Sequence, residues 1–467
     1  MKGYNEIVVG LDIGSSKVRA VAGSLTEDGH IKIEGFEEES FNLLDSGVFN
    51  GQIVNVAYCT RVIDSVLQTL ADRCNSDIDT ININISGPMV ATQEHQGVVT
   101  ASGENITIQS HDVDKLIQHI QMSYQLKEGQ VIVHTLPLDF RVNNTPAENP
   151  VGRVGVQLSG NYQVVTQSRN ELDTLQRTIQ SISSKVEDVR YARPLQVDLL
   201  VLGAMADAFA LLTSSDRRNG VAMAHIGQDL MEITVFYRGG LRYRSVLPLA
   251  GRTITNDLAE AFKIHFEEAE KLKVVYSLLL SLDELQAEGE LVLDGVDGLP
   301  PKRISVKQIQ EVVDVRMLEF AYLVSAELEK SGFRDLLQHG VVLAGGSSNM
   351  YRIVPVFERV FGKAFLVRKA DPLRFVKSDL NDVALRNIKN ATAIGLMMAS
   401  LQSYDQRFPD NRTLLAPQRN KPNREVNPDM VQSKKRDPER AVKDQQSLID
   451  RIKSSFGLGG KDIEDRY

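Results

Sequence analysis

A chain of 467 residues is long enough for about three compact units, and 42% hydrophobic with 24% charged residues is the composition of a water-soluble globular protein. Its two cysteines, Cys59 and Cys74, sit in no CxxC or Cys/His cluster and its eight histidines are dispersed, which argues against a disulfide framework or a structural zinc site and for a reducing cytoplasm. The net charge of −8 is uneven: residues 401–467 hold 14 Lys/Arg against 11 Asp/Glu, so an acidic body argues against nucleic acid while a weakly basic tail leaves room for an anionic surface.

No secretory signal is expected, because the apolar run Ile7–Leu11 is short and Asp12 follows it at once. Residues 6–36 alternate strand-like runs with glycine turns and predict consecutive hairpin strands. Apolar spacing of three and four over 52–75 predicts an amphipathic helix, and the strict alternation of DTININIS over 79–86 predicts a strand. Residues 88–165 read as a small separate unit, with a helix near Ser110–Gln125, strands near Val131–Val142 and a turn-rich NPVGRVG. The most apolar stretch, Val197–Leu212, is broken by Asp198 and Asp207 and reads as a buried core helix, not a membrane span. Residues 219–250 repeat the hairpin pattern of the N-terminus, and 257–335 are expected to be largely helical. HGVVLAGGSSNM predicts a buried strand, a Gly-Gly turn and a helix, and ALRNIKNATAIGLMMAS a helix with small residues on one side. Five of the 15 prolines fall in the tail, apolar periodicity is lost over 403–445, and a flexible linker is expected there.

One internal comparison organises the chain. VGLDIGSSKVRAVAG (9–23) and AMAHIGQDLMEITVF (222–236) share an apolar strand, a polar residue, Ile-Gly, a short polar turn and a second strand. Two such hairpins suggest two similar domains, each offering a glycine turn to a shared cleft. Glycine at a hairpin tip lets backbone N–H groups approach phosphate oxygens. Ser15 and Ser16 add hydroxyl donors, Lys17 a point charge, and Asp12 a carboxylate able to hold Mg²⁺ directly or through water. LAGGSSNM (343–350) supplies a turn on which a base and its ribose can pack. Glu270 and Lys273 share a helix face and can either take ribose hydroxyls or form a solvated ion pair.

These stretches, with ISGPMVATQEHQGVV, NPVGRVGVQL, VLPLAGRTITNDLAEAF, EEAEKLK and ATAIGL, are similar to the actin/Hsp70/sugar-kinase superfamily and, within it, resemble the FtsA family of bacterial cell-division proteins over about residues 5–400. The resemblance implies an α/β fold with two actin-like, ribonuclease-H-like lobes around a nucleotide cleft, an inserted FtsA-type subdomain and a C-terminal amphipathic helix. It divides the chain into a first lobe of 1–87, 166–205 and about 385–402, an insert of 88–165, a second lobe of 206–260 and 336–384, a helical subdomain of 261–335, a linker of 403–445 and a membrane-targeting helix of 446–460. Carried over by position, Asp12, Gly14, Ser15, Ser16 and Lys17 form a first phosphate loop and Gly227 the remnant of a second. Glu270 and Lys273 contact ribose, and Gly345, Gly346 and Ser347 form the adenosine loop. The implied cofactors are ATP and Mg²⁺. The implied partners are the C-terminal peptide of FtsZ, other copies of the chain in a head-to-tail filament, other division proteins and the cytoplasmic face of the inner membrane at the division site.

The second loop departs from the family pattern. It reads HIGQDLME, with His225 in place of the metal-side Asp, Gln228 and Asp229 in place of glycines and Leu230 in place of Thr, and Arg352 stands where a Gly is typical. Asp229 facing phosphates would repel them, so at most a weak ATPase is expected, and a degenerate paralogue that needs no nucleotide is the alternative. A soluble kinase or chaperone is disfavoured: no acidic base motif beside an acceptor pocket is visible, and the Pro-rich tail leaves no place for a substrate-binding β-domain. On a helical wheel Leu448, Ile449, Ile452 and Phe456 share one face, flanked by Arg451 and Lys453, as an interfacial helix requires.

Overall fold

The computed structural model describes residues 6–42, 46–101, 107–183, 195–279, 289–293, 301–378 and 383–401, so the expected linker and amphipathic helix lie outside the described residues. In the first lobe a meander of β1 (Val8–Ile13), β2 (Lys17–Leu25) and β3 (Ile31–Ser40) is followed by the short hairpin β4 (Val48–Phe49) and β5 (Gln52–Ile53), then α1 (Val56–Cys74) and β6 (Thr80–Ile85). Helix α1 starts where the Asn55 side chain accepts from Tyr58 N and stops where Asn75 turns left-handed, and its apolar face, from Cys59 to Leu70, is buried. A small α+β unit interrupts the lobe: β7 (Ala91–Thr100), α2 (Ser110–Ser123), β8 (Gln130–Val142), β9 (Thr145–Ala147) and β10 (Gln157–Ser168), sheet order β7-β10-β8-β9, with a core of its own around Leu116, Leu158 and Tyr162. The chain returns through α3 (Arg169–Ser183) and β11 (Gln196–Leu202). Val197–Leu212 is thus not one helix. Its first half, rich in Val and Leu, pairs in parallel with β6, and only Gly203–Leu211 forms a helix, α4.

The second lobe repeats the plan. After α5 (Ser214–Asn219) come β12 (Val221–Ile226), β13 (Met231–Tyr237) and β14 (Gly240–Leu247), then α6 (Gly251–Phe262), α7 (Phe266–Leu279), the hairpin β15 (Glu290–Leu293) and β16 (Lys302–Ser305), and α8 (Val306–Ser331). The β15–β16 pair interrupts the stretch expected to be largely helical. β17 (Val341–Ala344), α9 (Ile353–Phe361), β18 (Val367–Lys369), β19 (Lys377–Ser378) and α10 (Ala391–Leu401) complete the described chain.

The two large sheets have the same order. One runs β11-β6-β1-β2-β3-β19 and the other β18-β17-β12-β13-β14, so β1 and β12 are equivalent central strands, each with a hairpin partner on one side and a parallel neighbour on the other. β19, from a segment expected in the second lobe, pairs with β3 of the first sheet. Strands buried on both faces need near-continuous apolar runs, as VVGLDI and VAMAHI supply. Between the sheets lie α4 and α10, both buried over nearly their whole surface, and one core joins them to Val8 and Val21 of the first sheet and Met223 and Val342 of the second. The helices cross at Gly395, where a Cβ would meet the carbonyl oxygen of Ala206 at 1.8 Å, so only glycine permits the approach.

Candidate functional site

The two hairpin tips are built alike. Gly14 N donates to Lys17 O at 3.0 Å in the first, and Gly227 N donates to Leu230 O at 2.9 Å in the second. Both line one narrow cavity, through Ser15 and Ser16 on one side and Gln228 on the other, with Phe41, Asn42, Ser46 and Arg252 completing the wall. Its free space of about 10 Å³ is room for one water molecule. Leu230 packs against Gly51 and Gly87 of the first lobe, and Asn50 N donates to Asp229 Oδ2 at 3.1 Å, so the lobes meet here.

In the first loop Ser15 O accepts from Ser46 Oγ and Ser16 O from Phe41 N, which fixes the tip's backbone. Lys17 does not point its charge freely into the cavity. Its Nζ donates to Glu38 Oε1 at 2.9 Å, and Glu38 also accepts from Arg19 Nε and Lys389 Nζ. Burial raises the Glu38 pKa, but these cations outweigh it and hold the carboxyl at about 2. Asp12 is 7% exposed and both its oxygens are engaged: Asn84 Nδ2 donates to one at 3.0 Å and Arg19 Nη1 to the other at 3.5 Å. Desolvation raises its pKa against the pull of Arg19. A carboxyl this buried, already paired with a guanidinium, is poorly suited to a magnesium shell, and among the described residues no group of three or more His, Cys, Asp or Glu gathers to hold a metal ion.

The second loop is tied to the adenosine loop. Gly227 O accepts from Gly251 N at 3.0 Å and from Ser347 Oγ at 2.7 Å, and Gln228 O accepts from Arg252 N at 2.7 Å. Gly345 has φ +82° and no room for a Cβ beside Ile226 O, whereas Gly346 is open, so Gly345, Gly346 and Ser347 form a backbone ledge against the hairpin. Arg352, at φ +62°, caps the start of α9 in the left-handed conformation that glycine adopts more readily. Glu270 and Lys273 are brought to the same corner but are not a solvated pair. Lys273, 6% exposed, donates to Glu270 Oε2, Thr255 Oγ1 and Gly251 O, bracing α6 against α7. Burial lowers its pKa despite the Glu270 charge.

His225 lies next to the end of β12, just before the second tip. Its Nδ1 lies 2.6 Å from Asp207 Oδ2, and Asp207 Oδ1 accepts from Thr392 Oγ1 of α10. Burial disfavours the imidazolium, but the Asp207 charge and hydrogen bond, with Glu232 and Asp12 beyond, push its pKa up to about 9. The charge of a protonated His225 is thus paired with Asp207. Asp229, expected to repel phosphates if it faced them, is 5% exposed, and its other oxygen, Oδ1, accepts from Arg252 Nε at 2.6 Å.

A family model described as Cell division protein FtsA matches residues 222–395, and one described as the SHS2 domain inserted in FTSA matches 87–166, together more than half of the chain. The chain belongs to the FtsA family. A Cell division protein FtsA of Pseudomonas aeruginosa is 29% identical over 399 residues, 85% of this chain and 90% of that protein. Another, from Escherichia coli strain K12, is 28% identical over 409 residues, 85% and 91% of the two chains. Among solved structures, a chain of the PilM–PilN type IV pilus biogenesis complex superposes with a TM-score of 0.60 at 15% identity, over 85% of this chain and 98% of that one, a likeness of fold alone. The fold is the two-lobed actin-like α/β fold with the FtsA-type insert. No helix among the described residues is long and apolar enough to cross a membrane.

Asn84, Asp207, Arg19 and Arg252 escaped the sequence reading. Asn84 left a trace, a polar residue within the buried strand TININI, and Asp207 another, a lone carboxylate in an apolar helix. Arg252, in an ordinary GRTIT stretch, left none.

Proposed function

We propose that this FtsA-family protein is an actin-like membrane adaptor of cell division, which binds ATP between its lobes, assembles head to tail and holds the FtsZ ring to the inner membrane through residues 446–460. The observation that carries the nucleotide part is the meeting of Ser15 and Ser16 with Gln228 around one cavity, beside the ledge of Gly345, Gly346 and Ser347. Family membership supports the division role, and the stripe of Leu448, Ile449, Ile452 and Phe456 with Arg451 and Lys453 supports the membrane role. One copy of so short a helix binds weakly, and a filament multiplies it. The FtsZ peptide is assigned to the helical subdomain of 261–335. Co-sedimentation with vesicles of phosphatidylglycerol tests the tether: the full chain pellets and a chain lacking 446–467 stays in solution. Equal pelleting of the two would end the adaptor reading.

A second reading is a paralogue that needs no nucleotide. His225, the engaged oxygens of Asp12 and the narrowness of the cavity favour it. Calorimetry with ATP on the native chain and on His225→Asp separates the readings. Micromolar binding by the native chain excludes the second, and binding only by the variant establishes it.

A further inference from the structure

Among the cationic groups of the corner, Lys17, Arg19 and Lys389 converge on Glu38, Lys273 is spent on Glu270, Thr255 and Gly251, and His225 on Asp207. Arg252 differs. Only its Nε is used, donating to Asp229 Oδ1 at 2.6 Å, and among the described residues its Nη1 and Nη2 make no hydrogen bond. The guanidinium carbon lies 5.7 Å from the centre of the Phe49 ring and 5.6 Å from that of Phe266, so aromatic rings of both lobes hold it. Arg252 lines the cavity that also receives Ser15 and Ser16.

We propose that Arg252 is the phosphate clamp of this cleft, its two Nη groups gripping the terminal phosphoryl oxygens of a nucleotide opposite the Ser15–Ser16 tip. The proposal rests on the nucleotide reading above and gives Arg252 the role expected of Lys17. A guanidinium presents paired donors in a plane, the geometry that phosphate oxygens match. Asp229 then acts as a positioning residue: it fixes the fork through Nε and leaves both outer nitrogens forward. The cavity is one water wide, so a phosphoryl group enters only when the tips part and the contact of Asn50 N with Asp229 breaks. Phe49 leaves with the first lobe in that motion. Asp229 and Phe266 belong to the second lobe, as Arg252 does, and keep it oriented throughout.

The test is calorimetry on the full chain and on Arg252→Ala, Arg252→Lys and Asp229→Asn, titrated with ATP, adenosine and inorganic phosphate, with circular dichroism to verify folding. Loss of a charge-assisted pair weakens ATP binding by about 20-fold in Arg252→Ala and nearly as much in Arg252→Lys, whose point charge lacks the fork, while adenosine binds unchanged. Asp229→Asn loses less, about 5-fold, because the fork is loosened and not removed. ATP binding that is equal in the native chain and in Arg252→Ala or Arg252→Lys overturns the clamp and leaves the nucleotide reading standing. Phosphate binding that depends on Arg252, with no binding of ATP or adenosine, supports the clamp as an oxyanion site and sinks the nucleotide reading. Absence of binding by all three ligands overturns both.

Discussion

The β1–β2 and β12–β13 hairpins share register, turn hydrogen bond and place in their sheets, yet they manage charge in opposite ways. The first tip keeps small hydroxyl residues and sends its lysine back to Glu38, and the Asp12 carboxyl beneath it is raised by burial. The second tip carries His225 and Asp229, each bound to a buried or half-buried partner of opposite sign. Strand pattern preserves a fold through alternating burial, and that demand is indifferent to which side chains sit at the turn. The tips are therefore free to exchange charges as long as every buried ion finds a partner.

The strongest way to break the comparison is Asp207→Asn. It leaves the His225 imidazolium without its counter-ion and should cost about 3 kcal/mol in urea unfolding, whereas the loss vanishes in the double variant with His225→Gln. Next in size is a pH effect with opposite signs at two histidines. His134, 3% exposed, accepts from Leu202 N through Nε2, and burial lowers its pKa to about 4. The unfolded chain takes a proton near 6.5 that the fold refuses, so about 3 kcal/mol of stability, present above pH 6.5, drains away as the pH falls through 4. His225 is raised, so its contribution is complete below pH 6.5 and lost as the pH climbs through 9. Its ring keeps 29% exposure, which scales the contribution down to about 2 kcal/mol. Melting curves from pH 4 to 10 should show both flanks, and His225→Gln should flatten the alkaline one alone. Lys273→Met should cost about 2 kcal/mol by stranding Glu270 and Gly251 O, a stability loss in the absence of any nucleotide, where a pure ribose contact would show none. Lys17→Met is the smallest: about 0.5 kcal/mol in stability, since the pair is 30% and 22% exposed, and less than about threefold in ATP affinity.

The architecture was legible because it rests on periodicity and repetition. The two hairpins, the buried strand VVLA and the insert's helix all announced themselves by apolar spacing. Val197–Leu212 was misread because a buried strand running directly into a buried helix has one continuous apolar signature, and no periodicity separates them. The site was legible in position and not in wiring. Lys17 looked like a charge for phosphate, Asp229 like a charge against it, and Lys273 like either a ribose contact or an ion pair with Glu270. Glu38 and Arg252, the counter-ions of Lys17 and Asp229, lie 21 and 23 residues away in sequence, and Thr255, which joins the Lys273–Glu270 pair, lies 18 from Lys273, distances at which no local rule makes the link.

Helix α10 is described up to Leu401. The same helix donates Thr392 to Asp207 behind the cleft and lies against α4 through Gly395, touching the shared core of both lobes. A substitution that loosens α10 therefore reaches the Asp207–His225 pair and the packing of both sheets at once.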